Sequence, residues 1–201
     1  MIRNTPTQWG AITRWLHWLM ALMIAAQVPL GLWMVDAYDA WLAGKGDTAL
    51  VMALSRAHNT NGFLVLILVV ARLGWRLGNP TPGLPAGLLA WQRFTARATH
   101  ALLYALLIVF PLTGWAALSA YDGEFPIFFF GWDNVFRIVP QATEGSPFTS
   151  DLFGEIHETC WKIGAGVLGL HVVAALWHEL VKRDGVLTRM WRGVAVNRRQ
   201  H

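Results

Sequence analysis

The sequence is poor in charged residues and almost free of cysteine. Only 14% of its 201 residues are charged and 55% are hydrophobic, whereas a soluble globular domain carries roughly 25% charge. This composition excludes an ordinary soluble domain, and its apolar excess excludes a nucleic-acid binder despite the net charge of +4. The single cysteine, Cys160, excludes an internal disulfide, a c-type haem attached through Cys-x-x-Cys-His, and a four-cysteine iron–sulfur or zinc site. Any metal chemistry therefore rests on histidine.

Long uncharged stretches predict four membrane-spanning helices. A bilayer core of about 30 Å needs about 20 apolar residues in a helix, and uncharged runs of 21 residues (15–35) and 24 residues (98–121) meet that length. Two shorter runs reach it once Arg72 and Lys162 are admitted, at depths where a long side chain snorkels or meets a buried anion. We predict an all-α, integral membrane four-helix bundle, a single domain over residues 1–201, with spans at about 13–35, 57–76, 98–121 and 155–181.

The basic residues fall mainly on one side of this four-span topology. Twelve of the sixteen lie there with two acidic residues, whereas the opposite side has ten acidic and four basic residues. By the positive-inside rule the basic side is cytoplasmic, so both termini are predicted to be cytoplasmic. The first residues lack the apolar core and cleavage site of a secretory signal, so we expect span one to stay in the mature protein. The result is a multi-pass membrane protein in contact with lipid.

Histidines are concentrated in or at the ends of the predicted spans, at His17, His58, His100, His157, His171 and His178. His157 and His171 are 14 residues apart, which returns a helix to nearly the same face and separates two ligands by about 21 Å along the axis. The alternating span directions put His58 level with His157, and His17 roughly level with His171. By depth alone His100 is an equal candidate to pair with His171. Two imidazoles from facing helices form the axial ligand set of a low-spin b-type haem with no open coordination position, so two pairs predict two stacked haems.

Three further side chains are candidates for contacts around the haems. A buried arginine needs an anion, so Arg72, 14 residues after His58, is a candidate partner of a haem propionate, with snorkelling to the membrane surface as the alternative. His178, seven residues after His171, is a candidate hydrogen-bond donor to a quinone headgroup, or an interfacial histidine without a role. His100 is either a polar partner of a propionate or another helix, or a quinone or proton contact. Three glycines are expected where ring edges press on the backbone: Gly31, Gly114 and Gly164.

Over nearly its whole length the chain resembles the bacterial di-haem cytochrome b561 family, which includes the superoxide:ubiquinone oxidoreductases. The resemblance is carried by the segments TRWLHWL, AHNTNGFLVLILVVARLGWRL, NPTP, RATHALLYALLIVFPLTGW, HETCWKIG and GLHVVAALWHELVKRDGVLTRM. It implies that His17 and His171 are ligands of an inner haem and that His58 and His157 are ligands of an outer haem. It also implies a multi-pass protein of the bacterial inner membrane, with an inner-side ubiquinone site into which His178 falls.

The resemblance further implies an oxidoreductase that moves single electrons from superoxide at the periplasmic face, through two haem b groups, to ubiquinone. A basic entrance attracts an anionic substrate, whereas the outer loops have six more acidic than basic residues. The candidates for a local basic mouth are Lys45, Arg56, Arg137 and Lys162. The alternative is a quinol-linked cytochrome b relay subunit serving a basic periplasmic redox protein, such as a small cytochrome c, which the acidic surface favours. A third hypothesis, a histidine-lined metal transporter, predicts no haem.

Overall fold

The computed structural model describes residues 1–85 and 87–193. In this part of the chain the regular elements are α1 Ala11–Leu42, α2 Thr48–Leu77, α3 Ala90–Ala120, α4 Ser150–Trp177, a π-helical turn at His178–Lys182, and the short α5 Val186–Arg192. These residues contain no strand, and two isolated β-bridges occur in the loop between α3 and α4. The predicted all-α fold with four spanning helices is confirmed. Arg198, Arg199 and His201, which entered the counts of basic residues and histidines, lie outside the described residues.

The four long helices extend past the apolar stretches that predicted them. Helix α1 continues through Asp36 and Asp39 to Leu42, and α2 begins at Thr48 rather than near position 57. Backbone hydrogen bonding does not stop where apolar residues stop, because a charged side chain at a helix end reaches the headgroup region without breaking the helix. At 1.5 Å per residue, helices of 28 to 32 residues are longer than a hydrocarbon core of about 30 Å.

Large apolar side chains point outward from these helices. Trp15, Leu22 and Leu170 are 75%, 68% and 69% exposed, and only 6–11% of the residues in the most apolar window of each long helix are buried inside the protein. An aqueous protein rarely exposes so much contiguous apolar surface, whereas lipid tails are as apolar as these side chains and cover them without penalty. The outer surface is therefore that of a multi-pass membrane protein.

The π-helical turn His178–Lys182 continues α4 and separates it from α5. The turn ends at Arg183, whose φ of 54° is left-handed, an uncommon conformation for a residue with a Cβ. Gly185 follows with a φ of 74° and precedes α5. An apolar pattern does not distinguish a π turn from an α-helix, because both are built from the same residue types and the turn only changes where the side chains point.

The chain divides into two compact units. The first, which we term the basic unit, comprises Met1–Leu19, Val69–Leu106 and Lys162–His201, and its described residues include eleven basic and two acidic side chains. The second, the acidic unit, comprises Met20–Leu68 and Leu107–Trp161, with three basic and ten acidic side chains. Each unit contains segments of all four long helices. That the whole chain forms a single membrane domain stays a prediction.

In the basic unit a buried hydrogen-bonded cluster fixes the start of α1. The side-chain oxygen of Asn4 accepts hydrogen bonds from the backbone N–H of Gly10 at 2.8 Å and from the hydroxyl of Thr13 at 2.7 Å. The indole N–H of Trp75 on α2 donates to the same Thr13 hydroxyl at 3.0 Å. Because Thr13 lies one turn before His17, this cluster sets the position of that histidine.

In the acidic unit the loop between α3 and α4 closes over the end of α3. Nη1 of Arg137 donates to the carbonyl oxygens of Leu118 at 2.9 Å and Ser119 at 2.7 Å, carbonyls that lack partners within the helix. Phe128 is fully buried, whereas Phe130 is 58% exposed and has a left-handed φ of 52°. The loop is thereby tied to the helices by polar backbone contacts as well as by an aromatic anchor.

Candidate functional site

The basic unit brings together three of the predicted site histidines. The ring centroids of His17 on α1 and His171 on α4 are 6.3 Å apart, with an interplanar angle of 75°. His100 on α3 lies nearer, with its ring centroid 5.3 Å from that of His171. The structure therefore offers two different partners for His171, at separations that differ by 1 Å. We call His17 and His171 the basic-unit pair.

The acidic unit brings together the other two predicted ligands. The ring centroids of His58 on α2 and His157 on α4 are 6.4 Å apart, with an interplanar angle of 74°. This acidic-unit pair therefore reproduces the separation and the angle of the basic-unit pair closely, although the helices that supply the first histidine differ. Two sites of the same geometry arise because α4 contributes one histidine to each unit, 14 residues apart.

Both pairs have the separation that bis-histidine ligation of a haem iron requires. Two imidazoles that bind one iron from opposite sides, each through a nitrogen about 2 Å from the metal, place their ring centroids roughly 6 Å apart. The two pairs match this spacing, whereas His100 and His171 are too close for it. Among the described residues no group of three or more His, Cys, Asp or Glu side chains could hold a metal ion. Two imidazoles alone suit a metal that brings its other four ligands in a macrocycle.

Two glycines make room for the imidazoles of the acidic-unit pair. A Cβ placed on Gly114 would lie 2.9 Å from Cε1 of His157, and one placed on Gly31 would lie 3.2 Å from Cε1 of His58. A Cβ on Gly164 would meet nothing within 4 Å. In the structure Gly31 and Gly114 face the imidazoles of His58 and His157, so each glycine determines how closely a neighbouring helix approaches a histidine. That these glycines also face the edges of haem rings stays a prediction.

The polar partners of His157 determine which ring nitrogen carries the proton. Nδ1 of His157 donates to the carbonyl oxygen of Phe110 at 2.9 Å, and the hydroxyl of Thr113 lies 3.3 Å from the same nitrogen. Because Nδ1 carries the proton in this contact, the lone pair of the neutral ring is at Nε2. A histidine held through Nδ1 by a backbone carbonyl is the usual arrangement of a metal ligand.

Around His58 the structure places two amide side chains that the sequence analysis did not single out. Asn61 donates to Oε1 of Gln27 at 2.6 Å, and Nε2 of Gln27 donates to the carbonyl oxygen of His58 at 3.1 Å and lies 3.2 Å from its Nε2. Nδ1 of His58 is buried and has no hydrogen-bond partner among the described residues. The available signal was the occurrence of Gln27 and Asn61 inside apolar spans, where polar residues are costly.

A cation adjoins the basic-unit pair. Nη1 of Arg72 lies 3.2 Å from Nδ1 of His17, and Nε of Arg72 donates to the hydroxyl of Tyr104 at 2.9 Å. Arg76, one turn further along α2, lies over the Tyr104 ring at 5.7 Å. Both hydrogen-bonding contacts described for Arg72 are to side chains without negative charge. Arg72 therefore lies beside His17 of the basic-unit pair, and its contact with a haem propionate stays a prediction.

The remaining two candidate histidines have separate partners. Nδ1 of His100 donates to the carbonyl oxygen of Ala96, one turn earlier on α3, at 2.6 Å. His178 lies in the π-helical turn, where its Nδ1 is 2.5 Å from Oδ2 of Asp184, and both side chains are about one-fifth exposed. The structure thus gives His178 an acidic partner that the sequence analysis missed, because the π turn and the left-handed Arg183 bring Asp184 back towards it.

Two of the four residues considered for a basic mouth are already engaged by other groups. Arg56 forms an ion pair with Asp133, and its guanidinium lies over the Phe128 ring at 4.3 Å. Arg137 binds the carbonyl oxygens at the end of α3. Lys162 belongs to the basic unit, and Lys45 is exposed in the loop between α1 and α2. The described contacts therefore do not bring these four residues together as the basic mouth that an anionic substrate would need.

Comparison with known proteins covers almost the entire chain. The family model described as prokaryotic cytochrome b561 matches residues 8–193. Cytochrome b561 homolog 2 of Escherichia coli (strain K12) is 32% identical over 190 residues, 93% of each chain. Cytochrome b561 homolog 1 of the same strain is 29% identical, over 88% of this chain and 92% of the relative. A probable superoxide oxidase, CybB, of Yersinia pestis is 25% identical, over 87% of this chain and 90% of the relative.

Proposed function

Because the chain belongs to the prokaryotic cytochrome b561 family, a family of haem b membrane electron-transfer proteins, we propose that it carries electrons across the bacterial inner membrane through two haem b groups. The observation that carries this proposal is the equality of the two histidine pairs, at 6.3 and 6.4 Å. His17 and His171 would hold one haem iron, and His58 and His157 the other. When bound, each haem supplies a one-electron iron couple whose two axial positions are filled, which suits electron transfer.

The charges of the two units support an orientation for this transfer. The basic unit carries most of the basic residues and would face the cytoplasm, and the acidic unit would face the periplasm. With this orientation the basic-unit pair would be the inner site and the acidic-unit pair the outer site that the resemblance implies.

For the substrates, we propose superoxide as the outer electron donor and ubiquinone as the inner acceptor. A relative named probable superoxide oxidase supports this choice. Each superoxide gives up one electron and leaves as dioxygen, and ubiquinone takes up two electrons and two protons, so two superoxide anions are consumed per ubiquinol. In the acidic unit a concavity of about 460 Å³ is lined by Arg56, Thr60, Asn61, Phe130 and three aliphatic residues. It offers a small anion a place to approach beside a guanidinium.

The inner-site residues would bind and orient the quinone and a haem propionate. The imidazole of His178, whose Nδ1 donates to Asp184, would present its other nitrogen to the quinone. As an imidazolium paired with the Asp184 carboxylate it would donate a hydrogen bond and a proton from that nitrogen to a quinone oxygen. Arg72 has guanidinium donors beyond the one used by Tyr104, and a propionate would supply the anion that a partly buried arginine needs. His100, whose Nδ1 donates to the carbonyl oxygen of Ala96, would contact either the His171 ring or the quinone.

A second candidate function is an electron relay that serves a periplasmic protein partner. The observation that favours it is the pairing of Arg56 with Asp133, within a unit that has ten acidic and three basic side chains. Such a surface attracts a basic protein, such as a small cytochrome c, and repels an anion. The relay would use the same two histidine pairs, but it would need its partner for reduction.

The test is an absorption spectrum of the purified protein in three states, with haem quantified per chain. The protein is measured oxidised, after exposure to a superoxide-generating system with and without superoxide dismutase, and after dithionite. Two haems per chain that superoxide reduces and ubiquinone reoxidises would support the first function. Two haems that only dithionite or a reduced basic cytochrome reduces would support the relay. A chain purified from haem-supplied cells without haem would refute both.

A further inference from the structure

The two histidine pairs differ in the group that contacts an axial imidazole. At the basic-unit pair the contacting group is a cation, because Nη1 of Arg72 lies 3.2 Å from Nδ1 of His17. At the acidic-unit pair it is a carbonyl oxygen, because Nδ1 of His157 donates to Phe110 at 2.9 Å. The neighbours of His58 are the uncharged amides of Gln27 and Asn61.

These two contacts act on a bound iron in opposite directions. A positive charge near the iron stabilises the state with less positive charge, Fe(II), and therefore raises the reduction potential. A carbonyl that accepts the Nδ1 proton makes the imidazole a stronger donor, which stabilises Fe(III) and lowers the potential. The contacts of Arg72 and Phe110 thus both favour the electron at the basic-unit pair.

The charge of each unit acts in the same direction. The described residues of the basic unit carry an excess of nine positive charges, and those of the acidic unit an excess of seven negative charges. Most of these charges are at the aqueous surfaces, where salt screens them. Arg72, by contrast, is partly buried and contacts His17 directly, so its charge is screened less than those at the surface.

We propose that Arg72 makes the basic-unit site the electron-accepting site of the protein. The inference rests on the proposed binding of two haems. His58 and His157 would hold the iron that gives up one electron, and His17 and His171 would hold the iron that takes up the same electron. When bound, the two irons would supply a balanced pair of one-electron Fe(II)/Fe(III) couples, so the transfer would need no further oxidant or reductant.

The sign of the effect does not depend on whether Arg72 also binds a propionate. When Nε2 of His17 binds iron, Nδ1 carries the ring proton and offers Arg72 no lone pair, so the guanidinium can turn its free donors to an anion. If it does so, removing Arg72 leaves that anion uncompensated, which lowers the potential of the same site. If it does not, removing Arg72 removes a positive charge and again lowers the potential.

The size of the effect follows from Coulomb's law. A unit charge several ångströms from an iron, in a partly buried site, shifts a one-electron equilibrium by roughly tenfold. For one electron a tenfold change is 59 mV. We therefore expect Arg72→Gln to lower one of the two midpoint potentials by about that amount and to leave the other nearly unchanged.

The experiment is a spectroelectrochemical titration of the purified, haem-loaded full chain, in the wild type and in three variants. Arg72→Gln removes the charge, and Arg72→Lys retains it and should restore most of the wild-type potential. Arg76→Gln is the matched control, because Arg76 contacts the same Tyr104 ring at nearly the same distance, 5.7 Å against 5.8 Å, and has no described contact with His17. It should shift the potential by less than half as much as Arg72→Gln.

Each outcome decides the inference. A fall of one potential in Arg72→Gln, with recovery in Arg72→Lys and a smaller shift in Arg76→Gln, supports it. Unchanged potentials, equal shifts of both, or an equal effect of Arg76→Gln overturn it. If Arg72→Gln fails to bind two haems, Tyr104→Phe replaces it. Loss of the Arg72 anchor should shift the one-electron equilibrium of the same site two- to threefold towards Fe(III), and no change would overturn the inference. A wild-type chain with fewer than two haems would instead refute the proposed function.

Discussion

The basic and acidic units contain histidine pairs of nearly equal geometry in opposite electrostatic surroundings. The centroid separations are 6.3 and 6.4 Å and the ring angles 75° and 74°. One pair adjoins Arg72, and the other is held by a carbonyl and two amides. Because the two geometries are equal, both pairs would suit the same metal. Because their surroundings differ, two metals bound there would have different reduction potentials, and a difference in potential would give electron transfer a direction.

The largest expected effect separates the proposed haem ligands from a neighbouring histidine that is not a ligand. In His17→Ala and in His58→Ala we expect the haem content to fall from two per chain to one, because each variant loses one axial ligand of one site. His100→Ala is the matched control and should keep two haems, since His100 lies too close to His171 for a shared iron. Haem is quantified per chain after purification from the same membranes. Retention of two haems in His17→Ala, with loss in His100→Ala, would reverse the assignment.

The next effect tests the glycines that touch the acidic-unit pair. Gly114→Ala places a Cβ 2.9 Å from the His157 ring, and Gly31→Ala places one 3.2 Å from the His58 ring. We expect overpacking to cost about 1–3 kcal/mol, with Gly114→Ala the more severe, and to lower haem occupancy of the acidic-unit site only. Gly166→Ala is the control, because its Cβ would meet nothing within 4 Å. Occupancy and thermal unfolding of the haem-loaded protein are measured together, and equal behaviour of the three variants would contradict the prediction.

The sequence predicted the parts of this comparison that depend on one helix at a time. Uncharged runs of sufficient length predicted four spanning helices, and a spacing of 14 residues predicted that α4 supplies one histidine to each of two sites. It also placed Arg72 at the depth of His17. These inferences needed only helical geometry, because rise and rotation per residue are the same in any helix.

The parts that depend on contacts between segments could not be predicted. Residues 27 and 61 are far apart in the chain, so a hydrogen bond between Gln27 and Asn61 follows only from how α1 and α2 pack. The neutralisation of Arg56 by Asp133, 77 residues away, depends in the same way on the loop after α3. The helix ends and the π turn could not be predicted from the pattern of apolar residues either, because backbone hydrogen bonding determines them.

A third prediction tests what the outer surface attracts. Asp133→Asn releases Arg56 from its ion pair and leaves a free cation beside the concavity, so superoxide should reduce the protein two- to fivefold faster at low salt. A basic cytochrome should react more slowly, because the surface loses a negative charge. Asp151→Asn is the control, because it makes the same change of charge in the acidic unit and Asp151 has no described contact with Arg56. Stopped-flow absorbance at low and high salt measures both rates. Equal acceleration of the reduction by superoxide in Asp151→Asn would show that the net charge, and not the release of Arg56, determines the rate.

The smallest expected effect concerns the carbonyl that holds His157. The hydroxyl of Thr113 donates to the carbonyl oxygen of Phe110 at 2.8 Å, the same oxygen that accepts the Nδ1 proton of His157. Thr113→Val removes this competing donor at nearly constant volume, so the bond from His157 should strengthen and the imidazole should become a stronger electron donor.

We therefore expect Thr113→Val to shift the one-electron equilibrium of the acidic-unit site about twofold towards Fe(III), and not to affect the basic-unit site. Thr95→Val is the control, because Thr95 makes a comparable bond to the carbonyl oxygen of Trp91 on α3, away from any ligand. Redox titration of the two variants measures the shift. A rise of the potential would mean that the Thr113 hydroxyl, which lies 3.3 Å from Nδ1, is itself an acceptor for His157. In that case the two sites would differ through side chains alone, and the backbone carbonyl would add nothing to the asymmetry that Arg72 creates.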